Sequence, residues 1–358
     1  MRKLSLVSIL LVLLLVALPG AAELAVRFQP MQAVQPDEAD LPTELEWVKV
    51  RVDERIFTLF AALNMAGYDR ENFGEGYHPA RQLVRERLAG KTFSGQSRLR
   101  QELKFVGPYN FVVWALHYGD LPDFARQEET WAANGIPAFL FFGLDNVLRD
   151  FYREMDIASL WQEVHPQYEQ EAARYQQAAG PAIQAALAYI RMEQATVRQV
   201  VAIPNLLDAH WSGFGPQVGD TAYVVTGPSR EQPDVGLIQH EALHSLIGPL
   251  VEANLETIDP LKAKALFAAL RKRVPKSYGS WEIIVEESVV RALDARLAGP
   301  EWEENSLRND EQAGFLLVRP LAGVLKTYEA SSETLEEFMP ELLQMLNQVD
   351  PQTLLAEK

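Results

Sequence analysis

The sequence predicts a predominantly helical α+β protein with a small β-sheet. Most of the chain carries apolar residues at helical spacing, whereas three short runs alternate or are rich in β-branched residues. These runs are residues 48–52, 199–203 and 221–226. Of the 358 residues, 48% are hydrophobic, which is enough to build a large core in one or two domains.

The N-terminus predicts export. Arg2 and Lys3 precede an apolar run over residues 4–18, and small residues follow at 20–22. This order is typical of a secretory signal peptide, which we place at residues 1–22. A retained anchor is the alternative, but the run is shorter than the roughly 20 apolar residues that span a bilayer. We therefore expect a periplasmic or extracellular protein with no membrane attachment after signal cleavage.

Composition narrows the partners. The formal net charge is −16 at pH 7, and a surface of this sign repels nucleic-acid phosphates and anionic lipid. Nucleic acid is therefore not expected as a partner. The chain has no cysteine, so no disulfide stabilises it and packing must do so alone. The sequence makes no prediction of the oligomeric state.

The predicted elements form three regions after the signal peptide. Residues 23–195 hold the first strand and then a helical N-terminal subdomain, with breaks expected at Gly107-Pro108, Asn134-Gly135 and Gly180-Pro181. Residues 196–300 hold the other two strands and the helices that carry the motifs below. Residues 301–358 complete the body as C-terminal helices. The two strands before the motif form either a supporting hairpin or an edge for an extended peptide.

The segment His240-Glu241-Ala-Leu-His244 carries the strongest chemical signal. On a helix, residues four apart share a face, so His240 and His244 can bind one metal ion. Glu241 lies roughly 100° further round and can act on a water without being a ligand. This is the H-E-x-x-H arrangement of zinc hydrolases. We expect a helix over residues 234–247, with Asp234 as N-cap and Gly248-Pro249 as its end; two solvated histidines without a metal are the alternative.

A catalytic zinc ion takes a third protein ligand and leaves one position for water. The extended motif with a third histidine is excluded, because Ile247 and Leu250 stand where it needs glycine and histidine. A glutamate from a second helix is the remaining common solution, and residues 281–293 form such a helix. Glu286 and Glu287 are both candidates, with Glu286 predicted nearer the apolar side. Helical geometry does not choose between them.

The motif followed by Glu287-Ser-Val-Val-Arg291-Ala292 resembles the glutamate-zincin metallopeptidases. More narrowly, it resembles a bacterial family of exported zinc peptidases of unknown function, to whose opening strand and helix residues 48–68 are similar. The resemblance implies a zincin-like catalytic unit with Glu287 as third ligand and Glu286 in reserve. Arg291 stands where thermolysin-like enzymes have a supporting aspartate. We therefore expect Asp294 or Glu286 to accept the second N–H of the histidines.

The implied function is that of an exported zinc metallopeptidase acting on peptides or proteins. Zinc lowers the pKa of bound water to about 7, and Glu241 would serve as general base. Tyr278, His210 and Tyr223 are candidate donors to the oxyanion. One alternative is a helical periplasmic or extracellular binding protein whose metal site is structural or inactive. Another is a zinc hydrolase acting on non-peptide bonds.

Overall fold

The computed structural model describes residues 48–69, 76–126, 141–191, 197 and 199–356. The segment predicted as a signal peptide, residues 1–22, and the break at Asn134-Gly135 lie outside the described residues. Within the described residues no helix has both the length and the apolar character that a membrane crossing requires.

The fold is a predominantly helical α+β architecture, as predicted. The helices in the N-terminal half are α1 (Glu54–Ala66), α2 (Pro79–Leu88), α3 (Gln96–Glu102), α4 (Pro108–Leu116), α5 (Leu144–Glu154) and α6 (Ile157–Ile190). The helices in the C-terminal half are α7 (Val235–Asn254), α8 (Pro260–Leu270), α9 (Trp281–Leu297), α10 (Pro300–Gln312), α11 (Val318–Ala330), α12 (Leu335–Gln344) and α13 (Pro351–Ala356).

The described residues form one small mixed sheet. Its strands are β1 (Val48–Val50), β2 (Gln199–Pro204), β3 (Gly213–Phe214), β4 (Gln217–Val218) and β5 (Thr221–Thr226). Strands β1, β2 and β5 run parallel, with Val48 opposite Val200 and Val200 opposite Ala222. Strands β3 and β4 pair antiparallel with β5. Of the two alternatives for residues 199–203 and 221–226, the supporting hairpin is wrong, because β2 and β5 are parallel and parallel neighbours need a crossover connection.

The sheet separates two hydrophobic cores, and the alternation of β2 and β5 explains how. Side chains at even positions such as Ala202 and Val224 lie in a core built by α7 to α13 and the second half of α6. Side chains at odd positions such as Val201 and Val225 lie in a core built by α1 to α5 and the first half of α6. Successive strand residues point to opposite faces, so each strand contributes to both cores.

Helix ends follow local chemistry where a cap is present. Asp53 caps α1 by accepting hydrogen bonds from the backbone N–H groups of Arg55 and Ile56. Asp234 caps α7 as predicted, accepting from Leu237, and Ser280 caps α9 by accepting from Ile283. The predicted break at Gly107-Pro108 is also found, since α4 begins at Pro108.

Two predicted helix ends are wrong. Helix α6 continues through Gly180-Pro181 to Ile190, and α7 continues through Gly248-Pro249 to Asn254. An internal proline removes one helical hydrogen bond and costs about 3 kcal/mol. The residues that follow each proline are buried in the same core, which offsets this cost: Ile183 and Ala186 after the first, Leu250 and Val251 after the second.

The turn between β3 and β4 lies directly on α7. The hydroxyl of Ser245 donates to the carbonyl of Gly215 at 2.7 Å. A Cβ atom built on Gly215 would lie 1.9 Å from the carbonyl oxygen of Glu241, far inside van der Waals contact. Glycine at 215 therefore sets how closely the turn approaches the motif helix.

We expect Gly215→Ala to lower the free energy of unfolding by about 1 to 3 kcal/mol, because strand turn and helix must move apart. Denaturant unfolding measures this. Gly323→Ala is the matched control, since Gly323 is an exposed residue within α11 with no atom near its would-be Cβ. There alanine should stabilise by about 0.5 to 1 kcal/mol. Equal stability of the Gly215 variant and the parent would contradict the close approach.

Candidate metal centre

The motif helix α7 is buried at its centre. It packs against β5 on one side, α6 on another and α9 on a third. His240 is 7% exposed and Glu241 is 9% exposed, so the metal-binding motif lies inside the protein rather than on a solvated face. The alternative of two solvated histidines does not describe this helix.

Helix α9 lies beside α7 and brings four functional side chains to it. Glu287 is 3% exposed, whereas Glu286 is partly exposed. The prediction that Glu286 lies nearer the apolar side is wrong. Buried apolar residues lie on several sides of α9, among them Ile284, Val285, Val289 and Val290. A helical wheel assumes one apolar face, so it does not identify which glutamate is buried.

Three donor atoms converge between the two helices. The Nε2 atoms of His240 and His244 are 3.2 Å apart, and Nε2 of His244 is 3.2 Å from Oε2 of Glu287. Nε2 of His240 lies 3.7 Å from the other oxygen of the same carboxylate, Oε1 of Glu287. Two ligands about 2.05 Å from a tetrahedral ion lie about 3.3 Å apart. The group His240, His244 and Glu287 can therefore hold a metal ion.

The other nitrogen of each imidazole is fixed by a carboxylate. Nδ1 of His240 donates to Oδ2 of Asp294 at 2.7 Å, and Nδ1 of His244 donates to Oε1 of Glu286 at 2.8 Å. Both supporting residues were named from the sequence as acceptors. With the protons on Nδ1, the neutral rings direct their two Nε2 lone pairs toward each other. A proton or a cation between them removes that repulsion.

Glu287 is oriented by bonds to one of its two oxygens. Its Oε1 accepts from Nε of Arg291 at 2.6 Å and from the hydroxyl of Tyr278 at 3.2 Å. Arg291 is in turn held by Oδ1 of Asp310 at 2.7 Å. Burial would raise the pKa of Glu287, but the charge of Arg291 and the bond from His244 outweigh it and hold that pKa well below its usual range. Glu287 is thus ionised and directs Oε2 at His244.

Arg291 stands where thermolysin-like enzymes would have an aspartate that supports a histidine, and in this protein it binds the glutamate instead. It orients the glutamate, while Asp294, one turn further along α9, supports His240. The guanidinium also stacks over the ring of Phe315 at 4.2 Å, which fixes its position.

Glu241 lies beside the three donors without joining them. A Cβ built on Gly213 would lie 2.5 Å from Oε1 of Glu241, so the carboxylate rests directly against β3. Burial raises the pKa of Glu241, and the neighbouring histidines only partly oppose this. A carboxylate whose pKa is raised accepts a proton more readily near neutral pH.

The three candidate donors to the oxyanion lie in three different places in the structure. Tyr278 lies at the site, where it donates to Glu287. His210 lies in a separate cavity, described below. Tyr223 lies on the opposite face of the sheet from α7, packed against the first core.

Tyr109 is a further candidate that the sequence does not predict. It lies in the first turn of α4, a helix that packs against β4, and its ring is partly exposed. Crowding by protein atoms raises the pKa of its hydroxyl, and the charges of Glu286 and Glu241 raise it further. Its hydroxyl is therefore within electrostatic reach of the site and stays protonated.

Comparison with known protein families gives a match for part of the chain. Residues 229–345 match a family described as a domain of unknown function, DUF4932. The match covers α7 to α12, and thus every residue of the metal-binding group. The chain has no match among curated proteins and none among solved structures.

We expect metal affinity to rise with pH through and beyond about 6.5, the ordinary pKa of histidine. Burial lowers the pKa of His240 and of His244, but bonds and charges from Asp294, Glu286 and Glu287 outweigh it and raise both. Without a cation the rings hold protons that must leave when metal binds. Calorimetry in buffers of different ionisation enthalpy measures this proton release. Metal binding that releases no protons and does not change with pH would contradict the expectation.

Proposed function

We propose that this protein is a zinc-dependent hydrolase, and most specifically a metallopeptidase, with Glu241 as general base. The observation that carries the proposal is the convergence of two imidazole nitrogens and one carboxylate oxygen beside a further buried carboxylate that is not part of the donor group. Three protein ligands and a free general base are the composition of catalytic rather than structural zinc sites.

The donor set favours zinc among the common ions. Two imidazoles and one carboxylate at about tetrahedral spacing suit Zn²⁺, whereas Mg²⁺ and Ca²⁺ prefer six or more oxygen ligands. When bound there, the ion would supply Lewis-acid activation of water and of a substrate carbonyl. Asp294 and Glu286 would hold the Nδ1 protons, so that both rings coordinate it through Nε2.

The residues of the chain account for the proton transfers of amide hydrolysis. The carboxylate of Glu241 would take one proton from the water that attacks the carbonyl carbon, and would return it to the leaving nitrogen as the C–N bond breaks. The raised pKa of Glu241 suits both steps. Tyr109, whose hydroxyl stays protonated, would donate to the carbonyl oxygen as negative charge develops on it.

A peptide substrate is supported by the sheet. Strand β3 lies at the end of the described strand order and runs past Glu241 at Gly213. An edge strand offers unpaired backbone groups to which an extended peptide can add. Export through the N-terminal signal and a peptide or protein partner remain predictions from the sequence.

A binding protein with a structural or inactive metal site is the second candidate. The deep burial of His240 and Glu241 favours it, because a peptide must reach both. It requires a fourth protein ligand or a closed site, so X-ray absorption spectroscopy of the metal-loaded protein distinguishes the two. A coordinated water supports the hydrolase, whereas four protein ligands support the binding protein.

We expect Glu241→Gln to retain one metal ion per chain while lowering peptide hydrolysis at least about 100-fold, because it removes the proton acceptor and no ligand. Metal content by elemental analysis and turnover of a peptide library measure the two effects. His244→Ala is the matched comparison, since it should lose the metal as well as the activity. Turnover in the Glu241 variant equal to that of the parent would exclude the mechanism.

We expect Tyr109→Phe to lower kcat by about 10- to 100-fold with little change in KM, because a donor to the oxyanion acts mainly in the transition state. Tyr223→Phe is the control, as its ring lies on the far face of the sheet. Steady-state kinetics of both variants on the same peptide provide the measurement. Equal loss in the two variants would point to a general structural effect and contradict the assignment.

A further inference from the structure

A second cavity, away from the metal-binding group, is lined by basic and polar side chains. Its volume is about 590 Å³, within the range of small-molecule sites. The lining includes two arginines, two histidines, a tyrosine and a serine: Arg174, Arg230, His78, His210, Tyr77 and Ser229. Among the described residues that line it there is no acidic side chain. In a chain of net charge −16, this composition is unusual and indicates an anionic ligand.

The arginine on α6 is held in a fixed orientation. Nη1 of Arg174 donates to Oε2 of Glu171 at 2.8 Å, and Nη2 donates to the carbonyl of Glu231 at 2.5 Å. Glu171 is 4% exposed, and its Oε1 accepts from the backbone N–H of Ser229 at 2.5 Å. The buried carboxylate thus joins α6 to the loop before α7 and fixes two walls of the cavity. A preorganised guanidinium loses little entropy when it binds an anion.

The hydrogen bonds of the two histidines determine what each can offer. Nδ1 of His78 accepts from the backbone N–H of Ala80, so the neutral ring carries its proton on Nε2. Nδ1 of His210 lies 2.7 Å from the carbonyl of Pro228 and must donate to it, so the neutral ring has an acceptor at Nε2. The cavity therefore combines N–H donors with one acceptor.

This combination fits a phosphate better than a carboxylate. A hydrogen phosphate has oxygens that accept from the arginines and from His78, and a P–OH group that can donate to His210. An ionised carboxylate only accepts, and so does the dianion of a phosphate monoester, so neither can donate to Nε2 of His210. We infer that this cavity is a binding site for inorganic phosphate in its hydrogen phosphate form.

The position of the cavity ties it to the proposed metal centre without overlapping it. Burial raises the pKa of Asp234, the N-cap of α7, and the charges of both His240 and Arg230 act to lower it. Six residues of helix, about 9 Å, separate Asp234 from His240. His210 lies three residues before Gly213, against which Glu241 rests. The cavity is thus next to loops that flank the site, yet its lining includes none of His240, His244 and Glu287.

The test is calorimetric titration of the full-length protein with inorganic phosphate, and with succinate as a carboxylate control. We expect saturable binding of phosphate and binding of succinate at least about tenfold weaker. Arg230→Glu and Arg174→Gln should each weaken phosphate binding at least about tenfold, because each removes a charge-assisted donor. Arg308→Gln is the matched control; its side chain is 60% exposed on α10, and it should change affinity less than about twofold.

Two further arms keep the test decisive. Phosphate can also bind a metal ion directly, so His244→Ala is titrated as well; retained binding in that variant supports the cavity, and lost binding overturns it. Arg174→Gln leaves Glu171 short of a partner, so circular dichroism of both arginine variants checks that each has folded. Equal affinity in Arg230→Glu and the parent, or the same loss in Arg308→Gln, overturns the proposal. None of these measurements requires turnover, so they stand or fall independently of the proposed hydrolase activity.

Discussion

The structure around the motif depends on one constraint, which is that the two imidazole Nε2 atoms face each other at 3.2 Å. Asp294 and Glu286 impose it, because each accepts a hydrogen bond from the Nδ1–H of one ring. Two facing lone pairs repel, so the arrangement is stable only with a positive charge between them. Bound protons or a metal ion can supply that charge. Glu287, ionised and directed by Arg291, adds the third donor at the same point.

That constraint requires α7 and α9 to keep a fixed separation, and the surrounding residues are small where this matters. Gly215 and Gly213 bring the β3 turn onto α7 at Glu241, and Ser245 bonds the turn to the helix. On the other side, a Cβ on Gly248 would lie 3.2 Å from Oε1 of Glu286. Helix α7 therefore lies close to both the β3 turn and α9 because glycines stand at the points of contact.

The sequence predicts the parts of this site that depend on local spacing. The positions of His240, Glu241 and His244 follow from helical periodicity, and the carboxylates that fix the rings lie on one recognisable helix. It predicts less well where tertiary contacts decide. The helical wheel of α9 predicts Glu286 nearer the apolar side because it assumes that only one face of the helix is apolar. Tyr109 could not be found, since the position of α4 depends on its packing against α1 and β4, which no short sequence pattern encodes.

Charge balance gives a further reason for a cation at this place. The carboxylates of Glu241, Glu286, Glu287, Asp294 and Asp310 lie in or beside the site, against the guanidinium of Arg291. Buried charges of one sign are costly unless they are paired. In the metal-free protein the raised pKa values of the two histidines supply positive charge by binding protons. A divalent cation supplies it without protonating the ligands, so metal binding and the stability of the α7 and α9 pair are coupled.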